Sequence, residues 1–227
     1  MTRQNFDREL QRIEEEILAL ASVVEDALIA SVRSLKQRDF QASRRLVAAD
    51  RHVNERRFAL EEDVMVLIAT QQPMARDMRL LAAVFEIVTE LERIADYAKG
   101  IARINLMIGE QPLVKPLIDL PVMAQKARDM LHDALQAFIK RDVELARSIA
   151  RRDDEIDALY NQVYRELLCY IIEDPQIIEQ ANFLLWAAHN LERTADRVIN
   201  ICERVIFTVT GELSELDSDE WGPEGLH

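Results

Sequence analysis

Two short stretches carry most of the chemistry this chain offers. Glu92 and Asp96 lie four apart in Leu91-Glu92-Arg93-Ile94-Ala95-Asp96, and Glu192 and Asp196 lie four apart in Leu191-Glu192-Arg193-Thr194-Ala195-Asp196. The two hexads differ at one position and stand 100 residues apart. On a helix, residues four apart share a face, where like charges repel by a few tenths of a kcal/mol. A costly pair that occurs twice points to carboxylates placed for a cation. The plain alternative is a solvated acidic face, with Arg93 and Arg193 neutralising the acids.

A recurrence at this distance suggests a duplicated unit. Gly is scarce at 5 and Pro at 6, which favours long helices over many turns. Apolar residues step by threes and fours, the signature of amphipathic helices, through segments 5–37, 40–70 and 74–107. Arg38-Asp39 and Gln71-Gln72-Pro73 mark the turns between them. Helices of this length run to roughly 45 Å. The pattern then repeats as 117–140, 143–173 and a last helix ending near Gly211, with Arg141-Asp142 and Glu173-Asp174-Pro175 at the matching turns. The expected fold is all-α: two tandem pseudo-symmetric three-helix bundles, 1–108 and 117–213, joined end to end or side by side. Residues 109–116, dense in Gly and Pro, form the linker. Residues 214–227 are acidic and aperiodic and are expected to be disordered.

Aligning the second helix with the fifth adds a further pair to each unit, Asp50/Asn54 and Asp153/Asp157. Asp50 and Asp153 fall where the stepping calls for an apolar residue. Asp50 and Asn54 lie 22 and 18 residues before Gln72, and Glu92 and Asp96 lie 20 and 24 after it. Antiparallel helices of equal rise then put all four at one height, roughly 30 Å from the turn. The second unit gives the same result for Asp153, Asp157, Glu192 and Asp196 about Asp174. Each unit therefore has a candidate metal patch: Asp50, Asn54, Glu92 and Asp96 in the first, and Asp153, Asp157, Glu192 and Asp196 in the second. Oxygen donors suit Mg2+, Mn2+, Ca2+ or iron, with Zn2+ also among the candidates. The second patch, with four carboxylates, should bind more tightly than the first, where Asn54 is neutral.

Charge and composition narrow the functional classes. A net charge of −13 opposes nucleic acid and anionic membranes as direct partners. Six acids and no Lys or Arg follow from Glu212 onward, leaving about −7 for the body. No run of about 18 apolar residues exists, and residues 1–7 lack an apolar signal-peptide core, so a cytosolic protein is expected. Cys169 and Cys202 both sit in apolar helical patterns and read as small buried hydrophobes. The only Glu-x-x-His is Glu224 to His227, so a ferritin-like di-iron site is not supported. His189, three before Glu192, is a candidate extra ligand. No phosphate-binding glycine loop or nucleophile elbow occurs. Arg44, Arg45, Arg51, Arg56 and Arg57 read as a solvated basic face paired with nearby Glu.

The repeated Leu-Glu-Arg-x-Ala-Asp, the segment Gln71-Gln-Pro-Met-Ala-Arg-Asp-Met-Arg79 and the segment Asn200-Ile-Cys-Glu-Arg-Val-Ile-Phe-Thr-Val-Thr-Gly-Glu212 resemble the PhoU family. The resemblance covers nearly the whole chain up to Gly211. It implies metal ions held by the Glu/Asp-x-x-x-Asp pairs, which here are Glu92/Asp96, Asp153/Asp157 and Glu192/Asp196; Asp50/Asn54 departs from that pattern. It also implies a cytosolic homodimer that restrains the phosphate-starvation response together with a phosphate ABC transporter ATPase and a sensor histidine kinase. The competing expectation is an oxygen-ligated metalloenzyme acting on a phosphate compound.

Overall fold

The computed structural model describes residues 3–216. They form α1 (Arg3–Gln37), α2 (Phe40–Gln71), α3 (Ala75–Ile108), α4 (Asp119–Lys140), α5 (Val143–Ala150), α6 (Asp153–Glu173) and α7 (Ile178–Thr210), with a 3-10 turn at Pro175–Ile177 before α7. No strand occurs among the described residues. The first three helices pack on one another, as do α4 to α7. The two bundles lie side by side, with α3 along α7 and α1 along α4.

The apolar stripes explain this arrangement. On α3, Leu81, Ile87, Leu91, Ile94 and Ile101 are fully buried, and Ala83, Ala98 and Ala102 are buried among them. α7 matches it with Leu191, Ala187, Ala188, Ala195, Val198 and Cys202. A helix that is apolar on most sides belongs in the middle of a core. These two therefore form the centre, while α2 and α6 lie outside and bury few residues. Each Leu or Ile taken from water contributes about 1.5–3 kcal/mol. One continuous core runs through both bundles. The small residues let α3 and α7 approach closely: a Cβ placed on Gly100 would lie 2.9 Å from Asn190 Nδ2.

The matching turns are built alike. Arg38 and Arg141 both take the left-handed conformation, φ 57°. The next amides close Schellman-type bonds, Asp39 N–H to Ser34 O at 2.9 Å and Asp142 N–H to Ala137 O at 3.0 Å. Both aspartates then cap the following helix, Asp39 accepting from Ala42 N–H and Asp142 from Leu145 N–H. Left-handed geometry costs a non-glycine residue roughly 1–2 kcal/mol, and the guanidinium groups offset it. Arg38 donates to Asn105 Oδ1 at 2.6 Å and to Gly109 O, and Arg141 donates to Phe138 O and to Glu14 of α1.

Two expectations need correction. The segment 143–173 is not one helix: Arg151 and Arg152 break it into α5 and α6. Arg152 N–H turns back to Ile149 O at 2.9 Å, and its side chain donates to Asp133 Oδ2 of α4 at 2.6 Å. The break puts Asp153, Asp154 and Glu155 in the first turn of α6, where the helix dipole favours acids that would repel one another in mid-helix. Cys169 is exposed, because it lies on the outer side of α6; Cys202 is buried as expected. At the C-terminal end, Leu216 folds back, its amide donating to Glu203 Oε1 at 3.0 Å. The rest of the acidic tail, from Asp217, lies outside the described residues.

Candidate functional site

In the first bundle, Asp50 on α2 and Asp96 on α3 are joined by a lysine. Lys99 Nζ donates to Asp50 Oδ2 at 2.6 Å and to Asp96 Oδ1 at 2.8 Å. Burial lowers the Lys99 pKa, but the hydrogen bonds to the two carboxylates outweigh this and raise it. The Asp50 side chain is only 9% exposed, and its Oδ1 is buried without a hydrogen bond. Asn54 adds a long contact to Asp50 Oδ2 at 3.5 Å. Glu92 faces Arg57, Nη1 to Oε2 at 3.5 Å, while Arg57 Nε donates to Glu61 at 2.8 Å. Burial, then Asp96 and Asp50, push the Glu92 carboxyl up, and Arg57 opposes them. Asp50, Glu92 and Asp96 thus share one neighbourhood, as counting from the hairpin expects. A cavity of about 40 Å³ beside Asp50, Val53, Ala98 and Lys99 has room for a water and not for a substrate.

The second bundle repeats the acids. Glu192 on α7 is pushed up to about 7 by burial and then by Asp196 and Asp157, with Arg193 only partly opposing. Those three carboxylates therefore share one field. Asp153, at the head of α6, is buried at the position matching Asp50. Counting along the repeats, Arg57 becomes Tyr160 and Lys99 becomes Ile199. Tyr160 lies near Glu192: burial first, then Glu192, raises its phenol. His189 Nδ1 stands 3.0 Å from Glu192 Oε2, a hydrogen bond whenever that nitrogen carries a proton. This makes His189 a neighbour of the site through Glu192.

Of the motif arginines, Arg193 crosses the seam between the bundles and Arg93 pairs within α3. Arg93 pairs with the buried Glu90 at 3.3 Å, and Arg193 donates to the Tyr97 hydroxyl at 3.2 Å. Arg197 of α7 also faces Glu90, at 3.6 Å. On α2, three arginines of the basic face are paired with Glu, Arg51 with Glu55, Arg56 with Glu16 and Arg57 with Glu61. Counting of acids alone missed Lys99, Arg57, Tyr160 and Glu90. Applying the repeat offset to every neighbour of the motif, and not only to its acids, would have found the first three.

Whether these residues suit a metal differs between the two patches. Among the described residues, no three Asp, Glu, His or Cys side chains stand together so as to hold one ion. Either patch would therefore have to draw its side chains inward around a cation. The second donor set fits a hard cation by its chemistry: carboxylates with no Lys or Arg at the two matching positions. The first does not, because an ammonium group already bridges its acids.

The PhoU domain family matches this chain twice, at residues 17–104 and 120–205. The phosphate-specific transport system accessory protein PhoU of Edwardsiella tarda is 34% identical over 211 residues, 93% of this chain and 87% of that protein. The protein of the same name from Escherichia coli is 32% identical over 207 residues, 91% of this chain and 86% of that protein. The crystal structure of PhoU from Pseudomonas aeruginosa superposes with a TM-score of 0.84 at 31% identity, covering 91% of this chain and all of that one. The phosphate transport system regulatory protein PhoU of Streptococcus pneumoniae gives a TM-score of 0.85 at 30% identity, over 92% and 99% of the two chains.

Proposed function

This chain belongs to the PhoU family, and on that premise we propose that it is a metal-binding regulator of phosphate uptake and phosphate homeostasis. In this reading it works in the cytoplasm as a homodimer and restrains the phosphate-starvation response. It does so by docking onto the ATPase of the phosphate-specific ABC transporter and onto the sensor histidine kinase, without chemistry of its own. The relatives' names, accessory proteins of phosphate-specific transport, support the transport link. No helix among the described residues is long and apolar enough to cross a membrane. The charge of −13 disfavours DNA, so control of transcription passes through protein partners.

The observation that carries the docking reading is at the α6–α7 hairpin. Leu168 and Ile172 on α6 and Ile178 and Trp186 on α7 are exposed, Ile172 at 80%. Large apolar side chains left exposed on both arms of one hairpin favour a protein partner. A divalent or iron cation on Asp153, Asp157, Glu192 and Asp196 would tie α6 to α7 towards the end of the pair away from the turn.

Deletion of the gene in its own host, with a phosphate-starvation reporter read in phosphate-replete medium, tests the proposal. The reporter should rise on deletion, return to baseline with the intact gene, and stay high with Ile172→Asp/Trp186→Asp. A reporter that stays low after deletion would overturn the regulatory reading.

A further inference from the structure

We propose that Lys99 is the built-in cation of the first repeat, so that its patch excludes metal and only the second repeat responds to it. This rests on the metal reading given above for the second repeat.

The position of Lys99 carries the inference. Its ammonium lies 2.6 Å from Asp50 and 2.8 Å from Asp96, one carboxylate from each helix. That is the bridging place a cation would take to join α2 to α3. An ammonium and a divalent ion cannot share it at the short ion–oxygen distances a metal needs. Lys99 is also held in place: its side chain is 20% exposed and its partner Asp50 only 9%. An entering ion would have to break both of the lysine's short, charge-assisted hydrogen bonds. Arg57 supplies a second positive charge against Glu92.

The second repeat has neither charge at the matching positions. Ile199 and Tyr160 hold the matching positions, and Asp157 stands where the first repeat has Asn54. Ile199 is buried. One substitution at each of three places thus removes the two charges that close the first patch and adds a carboxylate. The spacing of α2 and α3 is set permanently, whereas that of α6 and α7 depends on metal. A two-bundle protein of this kind has one fixed half and one adjustable half.

Bound Mn2+, counted by electron paramagnetic resonance on the full chain, tests this. Wild type should lose its bound Mn2+ on Glu192→Ala/Asp196→Ala and keep all of it on Asp50→Asn/Asp96→Asn. Lys99→Ile/Asn54→Asp should bind at least one further Mn2+, and adding Asp96→Asn should remove that ion. Circular dichroism checks that each variant is folded, and Lys99→Gln/Asn54→Asp serves if the isoleucine variant is not. Loss of Mn2+ from wild type on Asp50→Asn/Asp96→Asn would overturn the inference. So would a folded Lys99 variant that gains none. If wild type binds no Mn2+ but the Lys99 variant gains an ion, the role of Lys99 stands and the second-repeat metal reading fails.

Discussion

Lys99 on α3 reaches across to Asp50 on α2, ammonium to carboxylate at 2.6 Å, in a place where the second bundle has Ile199. The pair is mostly buried, so removing one partner strands the other. Lys99→Ala should destabilise the protein by about 2 kcal/mol, whereas Lys99→Ala/Asp50→Asn should cost much less than the two single changes added together. Denaturant unfolding of the four proteins in the cycle measures the coupling. Additive costs would show that the ion pair contributes nothing.

The raised Glu192 carboxyl has a definite consequence for pH. Its folded pKa, about 7, lies above the ordinary 4.5, so the folded state holds this proton more tightly than the unfolded chain. Its contribution to stability is full below about pH 4.5 and is lost as pH rises through about 7. The metal-free protein should therefore lose stability between pH 5 and 8 relative to Glu192→Gln. Thermal melts of both proteins across that range should converge at the acid end and part at the alkaline end. Parallel curves would remove Glu192 as the cause.

Metal should act on the same group with the opposite sign. A divalent ion on the second patch offsets carboxylate repulsion and binds only the folded state, so the melting temperature should rise with Mn2+ and fall with chelator. Glu192→Ala/Asp196→Ala should abolish the response. An undiminished shift in that variant would assign these acids to structure alone.

Of the three left-handed non-glycine residues, Gln72 and Arg38 make contrasting predictions. Gln72, φ 46°, has an exposed side chain, so Gln72→Gly should be neutral or stabilising by up to about 1 kcal/mol. Arg38→Gly relieves the same backbone cost but loses the bonds to Asn105 and Gly109, and should destabilise. Equal effects of the two changes would show that the Arg38 guanidinium is not what holds its turn.

Much of this architecture is legible in the chain, for physical reasons. The threes-and-fours stepping reports burial directly, and turns such as Arg38-Asp39 carry their own capping chemistry. The acids could be placed because helical rise is constant. The break at Arg151-Arg152 was hidden because apolar stepping continues across it, through Ile149 and Ile156; only the run Asp153-Asp154-Glu155 marked a helix start. The exposure of Cys169 was hidden because α6 carries apolar residues on its outer side too. Lys99 was overlooked because a lysine three residues from an acid on one helix is ordinary. Its partner Asp50 comes from another helix, and that pairing depends on the packing of α2 against α3.

In the proposed function the protein acts by docking. Biolayer interferometry of the full chain against the purified transporter ATPase and the sensor kinase of its own host, with Mn2+ and with chelator, tests it most directly. Binding to both partners is expected, strengthened by Mn2+ and reduced at least tenfold by Ile172→Asp/Trp186→Asp. No binding to either partner under either condition, together with metal-dependent phosphate release from a phosphate compound, would contradict it and make the protein a metalloenzyme.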